Sequence, residues 1–140
     1  RKKKGSGVET RRWEKMEEGL ARSYIEMEKR LKIWINREEG SPIFHDGASM
    51  GVYSIEGHFI QEMDKQRLPF ITSDTEQALL YFLPFSVQRM RRFVASKAGV
   101  VDLHRMWAVI SDYIQVIANK YPYWNSTNGA CHFMVTCHDW

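Results

Sequence analysis

The chain has 140 residues, enough for one domain or for one half of a larger enzyme. Hydrophobic residues make up 44% and aromatics 13%, which excludes a disordered segment. The net charge of +3 is too small to mark a nucleic-acid binder, and no apolar run is long enough to cross a bilayer.

Arg1, Lys2, Lys3 and Lys4 open the chain as a basic tail, read as solvated or as a contact for phosphate or lipid headgroups. Trp13, Met16, Leu20, Tyr24, Met27 and Leu31 then recur every three or four residues, which predicts an amphipathic helix. Gly19 weakens it by about 1 kcal/mol relative to Ala. Residues 1–30 therefore read as a basic tail and a stem helix, and residues 31–140 as the folded domain.

Leu31, Ile33 and Ile35 alternate with polar or amphipathic neighbours, a short strand pattern. A loop with Gly40, Pro42 and Gly47 leads to a helix predicted over 52–67 and closed by Pro69. Phe70 to Thr72 reads as a second short strand, with Ser73 or Asp74 capping a brief turn. The apolar run Leu79 to Leu83 predicts a strand covered on both faces, ended by Pro84. Helices follow at 87–94 and 103–120, then an aromatic loop from Tyr121 to Gly129 and a last strand from Phe133 to Cys137. This alternation predicts an α/β fold, a parallel sheet with helices on its faces.

Cys131 and Cys137 flank that last strand. An extended run there separates their sulfurs by roughly 20 Å, too far for a disulfide or one shared metal. No metal site is expected.

Three polar groups fall just past predicted strand or loop ends, where α/β sheets bind ligands. His45 and Asp46 follow the first strand, as a base, as a hold on a sugar hydroxyl, or as a turn satisfying its own backbone. Tyr53 and Glu56 open the next helix, where a carboxylate also suits the helix dipole. His138, Asp139 and Trp140 end the last strand, the indole suited to the apolar face of a sugar ring. Asn125-Ser126-Thr127 is an N-glycosylation sequon.

FHDG (44–47), VYSIEGHFIQEM (52–63), YFLPFSV (81–87), DLHRMWAVISDYIQVIANKYPYWN (102–125) and HFMVTCHDW (132–140) resemble, in order and spacing, the plant exostosin-like glycosyltransferases of family 47. The resemblance runs from about Leu31 to Trp140. It implies the first Rossmann-like half of a two-lobed GT-B enzyme, with the nucleotide-sugar donor held mainly by the second half. It also implies a type II Golgi membrane protein, its catalytic region lumenal and its anchor outside this chain. A glycan acceptor of cell-wall polysaccharide or glycoprotein type, and other glycosyltransferases, are the implied partners. No cofactor is implied, since the nucleotide sugar is a substrate, and no nucleic acid.

On this resemblance Asp46, Glu56 and Asp139 are candidate bases, unranked by chemistry alone. His45, Tyr53, His138 and Trp140 are acceptor-side candidates. Two positions depart from the family pattern: Cys131 stands where Asp is usual, and Ala48 where Pro is common. The alternative reading is a diverged, non-catalytic module that binds glycan or a partner.

Overall fold

The computed structural model describes residues 7–37, 44–45, 47, 50–95 and 99–137. The chain divides into two compact units, residues 1–31 and 32–140.

The first unit contains helix α1, Gly7–Arg30. Its stripe of Trp13, Met16, Leu20, Tyr24 and Met27 is formed as predicted and lies exposed. Glu26 pairs with Lys29 at 3.2 Å and Arg30 at 3.5 Å, one turn away. Such exposed pairs contribute a few tenths of a kcal/mol.

The second unit is built on three short parallel strands, β1 (Ile33–Ile35), β2 (Leu80–Phe82) and β3 (His132–Phe133), in that order. Ile33 faces Leu80 and Ile35 faces Phe82, while Tyr81 faces His132. The expected strand at Phe70–Thr72 is reduced to one parallel bridge, Ile71 to Ile33. It bonds through Ile33 N–H to Phe70 O and Thr72 N–H to Ile33 O. Asp74 does cap the turn that follows, accepting from Glu76 N–H at 3.0 Å.

Period-two alternation gives the sheet two unlike faces. Helix α2 (Ser54–Asp64) sets Phe59 edge-on to Phe82 at 5.4 Å and buries Ile60 and Met63. The opposite face carries Trp34, Tyr81 and His132. Tyr123 stacks on Tyr81 at 4.9 Å, Tyr121 meets Trp34 at 4.8 Å, and Trp124 meets His132 at 4.8 Å. These residues belong to, or immediately precede, helix α5 (Pro122–Thr127), which replaces the aromatic loop expected there. Proline suits the first helical position because its missing N–H would have no partner anyway. Asn128 and Gly129, at φ 50° and 76°, end α5, and a Cβ on Gly129 would lie 2.8 Å from the Trp124 ring.

The last strand is also shorter than expected. Leu83 N–H reaches Phe133 O at 2.9 Å, and then Pro84, with no N–H, turns the chain away. Among the described residues the parallel ladder ends at Phe133. Helices α3 (Val87–Val94) and α4 (Leu103–Lys120) match their predicted spans. They close a second core of Phe85, Met90, Val94 and Met106, packed by Phe44, Val109 and Ile110. A parallel sheet with helices on both faces therefore agrees with the expected α/β class.

Two outcomes follow from this packing. Gly19→Ala meets nothing within 4 Å, so it should stabilise α1 by about 0.5–1 kcal/mol, read as slower amide exchange in that helix. Burial lowers the His132 pKa from its ordinary 6.5, and neither ring nitrogen has a partner among the described residues. An imidazole that resists protonation when folded gives stability that is whole above pH 6.5 and is lost as pH falls through it. His132→Phe should flatten that part of the stability–pH curve in denaturant titrations.

Candidate functional site

The residues singled out from sequence converge on helix α2. Gly47, in the loop after β1, lies so close to α2 that an added Cβ would stand 2.5 Å from Gly57 Cα. Two facing glycines are what permit that approach. One turn earlier in the loop, Phe44 O accepts from Ser86 N–H at 2.6 Å, and the Phe44 ring meets Phe85 at 5.3 Å. The loop is thus tied to the segment that follows β2.

The segment after β3 arrives at the same helix. Glu56 N–H donates to Cys137 Sγ at 3.3 Å, and that sulfur lies 3.5 Å from Tyr53 O. Tyr53 itself precedes α2 without a side-chain cap, so a thiol takes one of the free donors at the helix start. Cys137 is therefore anchored beside Tyr53 and Glu56. Asp46, His138, Asp139 and Trp140 lie outside the described residues.

Glu56 is fully buried. Its Oε1 accepts from Ser86 Oγ–H at 2.5 Å and Gln88 N–H at 3.1 Å. Ser86 Oγ in turn accepts from Arg89 N–H at 3.1 Å and caps α3. The carboxylate thus sits on the positive end of α3, where the helix dipole and orphan N–H groups hold an anion. Glu56 Oε2 and Gln88 Oε1 have no partner among the described residues.

His45 finds a partner that its sequence neighbours did not announce. Its Nε2 lies 2.5 Å from Asp64 Oδ2, in the last turn of α2. A carboxylate there opposes the helix dipole, and that was the available signal for Asp64 in the sequence. Ser86 and Cys137 were also missed as members of this cluster. Ser86 carries no signal of its own in the sequence, and Cys137 reads there only as a metal or disulfide ligand. Both cysteines are free thiols, and no group of side chains that would hold a metal occurs among the described residues.

Asn125 is exposed on α5, its Nδ2 donating to Ala118 O at 3.0 Å. The sequon's Thr127 hydroxyl donates back to Tyr123 O at 3.1 Å. No helix among the described residues is long and apolar enough to cross a membrane.

The model of the exostosin GT47 domain matches residues 21–140. Three Arabidopsis thaliana proteins named as probable glycosyltransferases are similar to this chain. They are 49%, 43% and 44% identical over 121, 119 and 119 residues, covering 86%, 85% and 85% of it. The chain spans about a quarter of their length: 25%, 23% and 25%. No solved structure matches.

Glu56→Ala leaves Gln88 N–H and the Ser86 hydroxyl unpaired in the interior. It should cost roughly 3 kcal/mol in chemical unfolding, with Glu56→Gln costing less because one acceptor oxygen remains.

Proposed function

The chain belongs to the exostosin GT47 family, and from that membership we propose that it forms the acceptor-side half of a two-lobed, GT-B glycosyltransferase. The observation that carries the reading is the family match over residues 21–140. The convergence on α2 supports it. The loop after β1, the start of α2 and the segment after β3 meet in one place, as the wall of an acceptor cleft requires.

The reaction moves a hexose, pentose or uronic acid from a nucleotide-sugar donor to a glycan hydroxyl. His45 and Tyr53 hold the acceptor, together with His138 and Trp140, which follow Cys137 in the chain. Asp46 and Asp139 are the carboxylates near enough in sequence to that cluster to take part in proton transfer. Glu56 is assigned to positioning, because its carboxylate is buried and bonded to the start of α3. The donor binds mainly in a second half. The setting is the Golgi lumen, on a type II membrane protein that works beside other glycosyltransferases on cell-wall or glycoprotein glycans. Asn125, exposed on α5, is then open to glycosylation.

The test is a donor screen on the full-length protein that carries this chain. UDP-pentoses, UDP-uronates and UDP-hexoses are offered with glycan acceptors, and nucleoside diphosphate release is followed. One donor class should turn over, and the 140-residue chain alone should transfer nothing. Robust transfer by the chain alone would refute the placement of the donor site. Glycan binding without turnover in the full-length protein would favour a binding module instead.

A further inference from the structure

His45 and Asp64 form a dyad whose side chains keep 22% and 35% of their exposure, so a solute reaches both. A carboxylate only accepts hydrogen bonds. In a neutral imidazole the proton therefore sits on Nε2, against Asp64, and the lone pair is left on Nδ1. His45 Nδ1 has no hydrogen-bond partner among the described residues.

The loop that carries His45 is tied to the carboxyl end of the sheet. Phe44, the residue before His45, is bonded to Ser86, which follows β2. Arg37, just past β1, approaches the Asp64 carbonyl at 3.5 Å. Both anchors come after the carboxyl ends of parallel strands. Asp64 sits there against the dipole of its own helix, a cost that a bond to an imidazole offsets.

Resting on the acceptor-side reading above, the geometry points to His45 as the base for the acceptor hydroxyl, with Asp64 as its positioning residue. The hydroxyl oxygen forms a bond to the anomeric carbon of the donor sugar. Its proton passes to His45 Nδ1. The bond from that carbon to the diphosphate breaks, and the nucleoside diphosphate leaves with the electron pair. Asp64 keeps the imidazole in the basic tautomer and stabilises the imidazolium that forms.

The experiment compares wild type, His45→Gln, Asp64→Asn and the double variant in the full-length protein, with thermal unfolding of each. Asp64→Asn keeps the shape but lets its amide donate to Nε2, which drives the imidazole proton to Nδ1. The expected result is a fall in kcat of about 10²–10⁴-fold, larger than any rise in acceptor KM, with unchanged unfolding. The double variant should be no slower than His45→Gln, since the two residues act as one unit. Nitrogen-15 shifts should report Nε2–H in wild type and Nδ1–H in Asp64→Asn.

A kcat that survives both single substitutions overturns the inference, as does a loss that merely follows unfolding. So does loss on Asp46→Asn or Asp139→Asn with His45→Gln active. Wild-type protein that transfers no sugar overturns the proposed function along with it. Wild-type transfer that both substitutions leave intact overturns the inference alone.

Discussion

A carboxylate that cannot stay in water must find hydrogen-bond donors, and in this domain Glu56 finds them at the start of another helix. Its Oε1 takes the Ser86 hydroxyl and the Gln88 N–H, while Ser86 caps α3 and its N–H holds Phe44 O. One buried anion therefore joins α2, α3 and the loop after β1. Losing a partner from such a knot costs more than the knot itself contributes, which makes the arrangement specific rather than merely adhesive.

Around that knot the sheet is very short. Each strand has two or three residues, so ladder bonds alone hold little. The two faces supply the rest by different means. One is covered through Phe59, Ile60 and Met63 of α2, the other through a pile of aromatic rings on Trp34, Tyr81 and His132. Flat rings offer large contact area with few rotamers to freeze, which suits a small sheet. His132 is enclosed in that pile without a polar partner, so the packing that steadies β3 also ties it to pH.

The same geometry gives the family membership a physical content. Sugar transfer needs a rigid surface against which a hydroxyl is aimed. Helix α2 is a rigid element of that kind, with the loop after β1 lying on its glycine and Cys137 bonded at its first turn. A thiol in that place is a modest anchor, chemically unlike the charged groups that draw attention in a site.

The sequence alone carried the periodic elements. The stripe of α1, the amphipathic faces of α3 and α4, the apolar run of β2 and the cap Asp74 follow from local spacing and side-chain chemistry. The order and spacing of the motif blocks pointed to the family for the same reason, since both are properties of a chain. Tertiary structure decided what depends on distant partners. Helix α5 forms because its rings land on the sheet, and β3 stops because Pro84 removes its partner strand. His45 pairs with Asp64 rather than its neighbour in sequence could suggest, and Glu56 turns inward to α3. Periodicity is written in one segment at a time, whereas a hydrogen bond between residues 30 positions apart is set only when the chain has closed on itself.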